Sequence, residues 1–254
     1  MTRVVSGVVL AVIALAAIVW LPTVALRALA CIVAALAAHE YFEMTGTNIR
    51  AIVLVIALCW VVSGAVWPAS YVLLSMALLW VAANVLLSDH RVQDVSAGLF
   101  ASVYIGMPLG MLAAVHGLLG WKATLLLIGT VVVSDSAQYY TGRLLGRTPL
   151  APAISPKKTI EGAIGGLIFG TAFMALVGAR VLPSPSFAPL LGLGVFVVIV
   201  GICGDLFESR LKRTAGIKDS SALIPGHGGV LDRIDALLFA APILWYYAAW
   251  RVMQ

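Results

Sequence analysis

The segment from Gly204 to Asp235 gathers acids and bases in an otherwise apolar sequence. Its charged side chains include Asp205, Asp219, Asp232, Asp235, Arg210, Lys212, Arg213, Lys218 and Arg233. Carboxylate oxygens bind divalent metals, and a cluster of cations can bind phosphates. Because the segment lies between two hydrophobic stretches, it predicts phosphate chemistry at a membrane surface.

The end of the eighth apolar stretch places an acid near a hydroxyl and two cations. If a helix continues past Asp205, the next residues on the same face are at i+4, i+7 and i+8. These residues are Ser209, Lys212 and Arg213. An acid near the membrane boundary is costly to bury, which makes Asp205 a functional candidate. The alternative is an interfacial helix end whose charges are solvated.

The ninth apolar stretch begins with two acids, Asp232 and Asp235, which share a helix face because they are three residues apart. An acid near a helix N-terminus also suits the helix dipole, and that is the alternative explanation. Two acids exceed what capping needs, and Mg²⁺ typically takes one or two carboxylates plus substrate phosphates. We therefore expect a metal site here, with Arg233 directed elsewhere, toward a phosphate.

The loop between these two helices, residues 218–229, is rich in glycine. Glycines permit tight backbone geometry and let backbone N–H groups approach an anion closely. The adjacent Lys218 and Asp219 strengthen this interpretation. His227 could act as a general base, although a structural or phosphate-contacting histidine is the favoured interpretation.

A second polar region, residues 135–162, precedes the seventh helix. Asp135 lies near the end of the sixth apolar stretch, and Ser155, Lys157 and Lys158 lead into the seventh. The threonine after these lysines, and Glu161 in the first turn, suit an N-cap and the helix dipole. Two adjacent lysines do not suit a helix N-terminus, unless an anion binds there. The alternative is that the lysines extend to acidic lipids.

Composition indicates an integral membrane protein. Hydrophobic residues make up 62% of the 254 residues and charged residues 11%, with a mean hydropathy of +1.05. A soluble domain carries about 25% charged residues. The net charge of +5 favours anionic partners such as lipid headgroups or nucleotides. We expect no nucleic-acid partner, because the basic residues lie between spans. His39-Glu40-x-x-Glu43 is not the zinc motif H-E-x-x-H, because the second histidine is missing.

A transmembrane helix needs about 20 mainly apolar residues. The sequence therefore predicts an all-α, polytopic membrane protein with about nine transmembrane helices in a single membrane domain, residues 1–254. Within it, residues 1–120 form an N-terminal bundle and residues 121–254 a catalytic region. The first apolar run is expected to be a retained span rather than a signal peptide. The predicted spans are 4–21, 24–42, 51–67, 70–87, 96–116, 121–140, 160–181, 188–206 and 234–250.

The distribution of charge predicts the orientation. With nine spans, twelve of the sixteen lysines and arginines fall on one side, which is therefore predicted to be cytoplasmic. The N-terminus then lies inside and the C-terminus outside. All eleven acids also map to the cytoplasmic half or its loops, which the positive-charge rule does not explain. We expect a polar active site that faces the cytoplasm, in the inner membrane of a cell.

The segment from Ser209 to Asp235 resembles the signature of the phosphatidate cytidylyltransferases, or CDP-diacylglycerol synthases. That signature reads Ser-x-apolar-Lys-Arg, four residues, Lys-Asp, then Pro-x-His-Gly-Gly-apolar-x-Asp-Arg-apolar-Asp, and this chain matches it throughout. A second family-like stretch runs from Asp135 to Gly162. It departs where Ala-Gln-Tyr-Tyr follows Ser136, since many members have a small residue and then Ala-Tyr. The first 120 residues resemble the family only as a run of spans.

The resemblance implies the reaction of CTP with phosphatidate to give CDP-diacylglycerol and pyrophosphate. It also implies Mg²⁺, a second cation for which K⁺ is the candidate, and a homodimer. Phosphatidate is a phosphate monoester with a second pKa of about 6, so it needs little help from a general base. The difficulty is to bring two anions together, which phosphoryl-transfer sites solve with positioning, metals and cations.

These considerations assign roles to the polar residues. Mg²⁺ is assigned to Asp205, Asp232 and Asp235. Asp219 joins the metal or orients Lys218. The cations expected to neutralise the triphosphate and pyrophosphate are Lys212, Arg213, Lys218 and Arg233. The groups expected to bind substrate phosphate are Ser155, Lys157, Lys158 and Ser209, of which Ser155 and Lys158 are assigned to phosphatidate. Asp135 and Glu161 are expected to support the site.

Three other classes of protein agree less well with the sequence. A transporter would place polar residues at mid-span in both halves of the bilayer, whereas here they gather on one side. An enzyme that joins a CDP-activated lipid to an alcohol would carry Asp-Gly followed by Ala-Arg and spaced aspartates, and that motif is absent from the sequence. A non-catalytic scaffold on acidic lipid would have no use for the pair Asp232 and Asp235.

Overall fold

The computed structural model describes residues 2–47, 52–64, 92–182, 186–223 and 228–252. Within these ranges the chain is predominantly α-helical, which confirms the predicted all-α class. The helices are α1 (Thr2–Trp20), α2 (Thr23–Thr45), α3 (Ile52–Gly64), α4 (Val92–Ala101), α5 (Met107–Leu119), α6 (Trp121–Leu145), α7 (Ile160–Val181), α8 (Phe187–Thr214) and α9 (Leu231–Val252). A π-helical turn, Ser102–Gly106, joins α4 to α5.

Four helical segments in the described ranges are long and apolar enough to cross a membrane. They are Thr23–Thr45, Gln93–Leu119, Ile160–Val181 and Phe187–Thr214. Large apolar side chains such as Ile168 and Phe196 are exposed on them, as expected for a surface that contacts lipid. The chain is therefore a multi-pass membrane protein. The total of nine spans stays a prediction, and the span predicted at 70–87 lies outside the described residues.

Two compact units share the chain, and the first comprises residues 1–117 and 219–233. In this unit α2 and α3 pack through small side chains, and Ala34, Ala37 and Cys59 have no exposed surface. The π-helical turn lies close to α3, because a Cβ at Gly106 would lie 2.6 Å from the carbonyl oxygen of Val55. Small residues thus allow the helices of this unit to approach closely.

The second unit comprises residues 118–218 and 234–254. Its helices α6 and α7 pack along a glycine-rich face of α7. A Cβ at Gly162 would lie 2.8 Å from the carbonyl oxygen of Gln138, and one at Gly170 would lie 3.0 Å from the Cβ of Ser134. This close packing sets the position of the polar end of α6 relative to the start of α7.

A short antiparallel hairpin connects α6 to α7, where the sequence analysis expects only a loop. Its strands are β1 (Pro149–Ala151) and β2 (Ser155–Thr159), with Ala151 opposite Ser155. The turn between them is closed by a 3.1 Å hydrogen bond from the Ile154 N–H to the Ala151 carbonyl. Pro152 occupies the second position of this turn, where its fixed φ is favourable. The hairpin carries Lys157 and Lys158 to the start of α7.

Candidate active site

Helix α8 continues past Asp205 to Thr214, as the spacing of its polar residues predicts. The hydroxyl of Ser209 donates a 3.5 Å hydrogen bond to Oδ1 of Asp205, so the two side chains share one face. The same helix also carries Lys212 and Arg213 in its last turn, where cations suit the helix dipole. The polar segment is thus an extension of an apolar helix.

Lys158 and Asp205 form an ion pair within the second unit. The ammonium group of Lys158, at the end of β2, contacts Oδ2 of Asp205 on α8, and the two side chains are 20% and 31% exposed. A charge pair that is shielded from water interacts more strongly than one on an open surface. The residue predicted to bind phosphate and one predicted to bind metal are therefore direct partners.

Three carboxylates of the second unit interact with one another electrostatically. Asp135 and Asp235 each interact with Asp205, and Asp235 also interacts with Asp135. Lys158 opposes the charge of Asp135, and Lys212 opposes that of Asp235. Because like charges repel, these three acids together favour a cation nearby, either a lysine ammonium group or a bound ion. We call these three acids with Lys158 and Lys212 the acid–lysine cluster.

The described residues contain no group of three His, Cys, Asp or Glu side chains close enough to hold a metal ion together. A metal at the acid–lysine cluster would therefore take at most two of its carboxylates as direct ligands. Mg²⁺ is commonly bound in this way, with substrate phosphates and water completing the coordination shell. The donor set thus fits Mg²⁺ that arrives with a phosphate ligand.

A cleft of the second unit opens beside Asp135. Its lining includes Ser134 and Asp135 from α6, Val198 and Gly201 from α8, and Ala236 from α9. Asp135 is the charged member of this otherwise apolar and small-residue lining. The cleft thus brings one carboxylate of the acid–lysine cluster next to apolar surface.

Lys212 is held by an acid that the sequence analysis does not single out. Its ammonium group contacts Oε2 of Glu208, one turn earlier on α8. The side chain of Glu208 has no exposed surface, and a buried carboxylate that lost its cation would be strongly destabilising. The pairing fixes the position of Lys212, while its predicted contact with the triphosphate stays a prediction.

The hairpin is attached to α7 by two side chains. Thr159 Oγ1 accepts a 3.1 Å hydrogen bond from the Gly162 N–H, which confirms the predicted helix cap. The carboxylate of Glu161 accepts hydrogen bonds of 3.1–3.2 Å from the backbone N–H groups of Arg147 and Thr148. Glu161 thus supports the base of the hairpin that carries the half-buried Ser155 and the exposed Lys157. The predicted supporting role of Glu161 in the active site stays a prediction.

Asp232 braces the glycine-rich loop within the first unit. Its Oδ2 atom accepts hydrogen bonds from the Ser220 N–H at 2.9 Å, the Ser220 hydroxyl at 3.0 Å and the Gly229 N–H at 2.8 Å. Gly228 has a φ of +81°, which favours glycine, and a Cβ there would lie 2.5 Å from the same oxygen. The structure therefore gives Asp232 a bracing role, and its predicted metal role stays a prediction.

Most of the remaining charged residues of the signature are exposed in the part of the chain that the structure describes. Asp219 and Arg233 are exposed, as is Lys218 just before them. Arg213 is also exposed and donates a 3.0 Å hydrogen bond to the carbonyl of Ile217. His227 lies outside the described residues. The predicted roles of these five residues stay predictions.

Glu40, on α2, is a site residue that the sequence analysis misses. The residue is 3% exposed, and its carboxylate contacts the glycine-rich loop of the first unit. Oε1 accepts from the Ser221 hydroxyl at 2.7 Å and the Val230 N–H at 2.9 Å. Oε2 accepts from the Leu231 N–H at 2.8 Å and lies 3.0 Å from the Ser220 hydroxyl, whose single proton is shared with Asp232. An acid within an apolar span is a functional candidate by default. The place of Glu40 within the predicted span 24–42 is therefore the sequence signal that could have identified it.

Comparison with known proteins identifies the family. The chain belongs to the cytidylyltransferase family, whose family model matches residues 1–250. It is 47% identical over 121 residues to the phosphatidate cytidylyltransferase of Aquifex aeolicus, covering 48% of this chain and 45% of that relative. It is 39% identical over 160 residues to the phosphatidate cytidylyltransferase of Helicobacter pylori, covering 61% of this chain and 59% of the relative.

A third relative, the phosphatidate cytidylyltransferase of Bacillus subtilis, is 40% identical over 157 residues, which cover 59% of this chain and 56% of that protein. The resemblance read from the signature is therefore confirmed at the level of the family. The chain spans about half the length of the curated relatives it matches.

Proposed function

We propose that this chain transfers the cytidylyl group of CTP to phosphatidate, releasing pyrophosphate and forming CDP-diacylglycerol. The observation that carries the proposal is the ion pair of Lys158 with Asp205 inside the acid–lysine cluster of a membrane-spanning cytidylyltransferase-family chain. Carboxylates and lysines that lie together on membrane helices suit a reaction in which phosphate groups of a lipid and a nucleotide meet.

The bond changes in this reaction need no covalent intermediate on the protein. An oxygen of the phosphatidate phosphate attacks the α-phosphorus of CTP, and the bond from that phosphorus to the oxygen bridging to the β-phosphorus breaks. The electron pair of that bond leaves with pyrophosphate. Since the nucleophile is already an anion at neutral pH, the protein has to position and neutralise charge rather than remove a proton.

Asp205 and Asp235 are the residues of the second unit that we propose to hold Mg²⁺. When bound, Mg²⁺ would neutralise CTP phosphate oxygens and so reduce their repulsion of the phosphatidate anion. Asp135 adds negative charge that keeps the cluster attractive to cations. K⁺ is proposed as a second cation at the same cluster, and the predicted metal role of Asp232 is kept as a separate proposal.

Lys158 is proposed to bind the phosphate of phosphatidate, in exchange for part of its contact with Asp205. The ammonium group of Lys158 would then neutralise Asp205 before the substrate binds, and the phosphate of phosphatidate afterwards. Neighbouring groups of the hairpin and of α8, namely Ser155, Lys157 and Ser209, are proposed to add hydrogen bonds to phosphate. Neutralisation of the triphosphate and the leaving pyrophosphate is proposed for Lys212, Arg213, Lys218 and Arg233.

We also propose a location and an orientation for the enzyme. We place it in the inner membrane of a cell with its N-terminus and its polar groups on the cytoplasmic side, where CTP is available. A homodimer is proposed from the family resemblance. The basis for the orientation is the one-sided distribution of lysine and arginine.

A lipid-product assay tests the proposed function. Detergent-solubilised full-length protein is incubated with radiolabelled CTP, phosphatidate and Mg²⁺, and the lipid phase is examined for a liponucleotide. Diacylglycerol, which lacks the phosphate nucleophile, replaces phosphatidate in the control. Label in the lipid only with phosphatidate supports the proposal, whereas uptake of a solute by proteoliposomes without CTP would favour a transporter.

A further inference from the structure

We propose that Glu40 is a positioning residue for cytidylyl transfer, because it holds Ser220, Ser221, Val230 and Leu231 in the arrangement that the reaction requires. This inference rests on the proposed function. The carboxylate of Glu40 accepts hydrogen bonds from residues that lie within the family signature. The proposed role is therefore to position these residues and not to touch a substrate.

The contacts of Glu40 join residues far apart in the chain. Its two carboxylate oxygens each accept one hydroxyl and one backbone N–H, and the partners lie 180 to 191 residues away in sequence. The two N–H groups belong to Val230 and Leu231, at the beginning of α9. The first N–H groups of a helix have no acceptor within the helix, and negative charge is favoured there. A carboxylate from α2 therefore caps α9.

Burial makes this arrangement specific for a glutamate. The carboxylate is almost completely removed from water, and all four of its hydrogen bonds are 2.7–3.0 Å long. A Cβ at Gly229 would collide with the Glu40 carboxylate and with the Ser220 hydroxyl, so the loop passes close to both. An aspartate at position 40 would be one methylene shorter and would not reach the same donors.

A glutamine at position 40 cannot reproduce the pattern either. Each carboxylate oxygen faces one hydroxyl and one N–H, and only a hydroxyl can reverse from donor to acceptor. Whichever way the amide is turned, its NH₂ group must face the N–H of Val230 or of Leu231. One backbone donor at the start of α9 is therefore left without an acceptor, which costs free energy because the site is buried.

Ser220 links Glu40 to Asp232. The Ser220 hydroxyl lies 3.0 Å from Oε2 of Glu40 and 3.0 Å from Oδ2 of Asp232, and its own N–H donates to Asp232. Ser220 is buried, so water does not compete freely for these bonds. A change at Glu40 should therefore move Asp232 and its neighbour Arg233, both of which belong to the family signature.

The test compares Glu40→Gln with Glu43→Gln in the full-length protein in detergent. Glu43 lies one turn further along α2, its side chain is 64% exposed, and it pairs with His39 at 3.7 Å, so it provides a matched control. We expect Glu40→Gln to lower kcat/KM for CTP and phosphatidate by about tenfold or more, mainly through kcat, as expected for a lost charged hydrogen bond. Glu43→Gln should stay within about twofold of the unchanged protein.

Hydrogen exchange gives a readout that does not depend on activity. Amide exchange of the peptide covering residues 219–233 should become faster in Glu40→Gln, while a peptide from α7 and all peptides of Glu43→Gln should be unchanged. If the unchanged protein makes no liponucleotide, the proposed function fails, and the exchange result still decides whether Glu40 holds the segment.

Two results would overturn the inference. One is exchange in the 219–233 peptide that is the same in Glu40→Gln and the unchanged protein. The other is faster exchange with kcat/KM still within about twofold, which would make Glu40 a purely structural residue. If Glu40→Gln does not fold, Ser220→Ala replaces it, since this variant removes the hydroxyl that links Glu40 to Asp232 and keeps Glu40 and the Ser220 N–H bond. A normal kcat/KM in Ser220→Ala would then contradict the inference.

Discussion

The ammonium group of Lys158 lies against the carboxylate of Asp205, and this contact joins the hairpin before α7 to the polar extension of α8. Each partner neutralises the other in a partly shielded place, so removal of either leaves an uncompensated charge. Lys158 belongs to the first stretch that resembles the cytidylyltransferases, residues 135–162. Asp205 lies on α8, four residues before the second stretch, residues 209–235, begins. Its replacement is thus a direct probe of the proposed site.

Replacement of Lys158 should affect the lipid substrate more than the nucleotide. We expect Lys158→Ala to raise the apparent KM for phosphatidate by about tenfold or more, because a charge-assisted hydrogen bond to phosphate is lost. The KM for CTP should rise less. Steady-state kinetics with each substrate varied in turn measures both constants, and Lys122→Ala serves as a control at an exposed lysine that lies beside Trp121. A larger rise in the KM for CTP would reverse the assignment of the two phosphate sites.

Replacement of Asp205 should change the requirement for metal. We expect Asp205→Asn to raise the Mg²⁺ concentration that gives half-maximal activity by roughly tenfold or more, because changes near bound metals commonly weaken affinity by that much. Asp94→Asn, in the first turn of α4, is the control acid. An unchanged Mg²⁺ dependence in Asp205→Asn would argue that Asp205 acts only as the partner of Lys158.

Replacement of Asp232 separates its bracing role from its predicted metal role. Asp232→Asn should abolish CTP turnover while expression and membrane insertion stay normal. Since all three bracing bonds go to Oδ2, the amide oxygen of asparagine can take its place, so amide exchange in residues 219–233 should stay unchanged while turnover is lost. Substantial residual turnover would refute the metal role and leave the brace as the function of Asp232.

Gly229 should not tolerate a side chain, because a Cβ there would collide with Ser220 and Glu40. We expect Gly229→Ala to lower the free energy of unfolding by about 1–3 kcal/mol, the usual cost of inserting atoms into a packed site. Gly192→Ala on α8 is the matched control, since no atom lies within 4 Å of its Cβ position. Thermal unfolding in detergent compares the two variants, and equal midpoints would show that the contact between loop and Glu40 is loose.

Local chemistry made part of this structure predictable. The helix through Asp205 follows from a polar spacing of four, seven and eight residues, and the Thr159 cap follows from its place before Glu161. Glu40 was missed because its partners lie at least 180 residues away, and single-residue patterns carry no information on such pairings. The hairpin was missed because its two strands are only three and five residues long. Glu208 was missed because its burial comes from tertiary packing.

The fate of the α-phosphorus of CTP tests cytidylyl transfer most directly. Full-length protein is given phosphatidate, Mg²⁺ and CTP that is radiolabelled at either the α- or the γ-phosphorus. Asp232→Asn, in which turnover should be abolished, is purified in parallel and controls for host enzymes. The α-label should enter the lipid phase while the γ-label appears only in pyrophosphate. An absence of α-label from the lipid, or the appearance of γ-label in it, would contradict transfer of a cytidylyl group to phosphatidate.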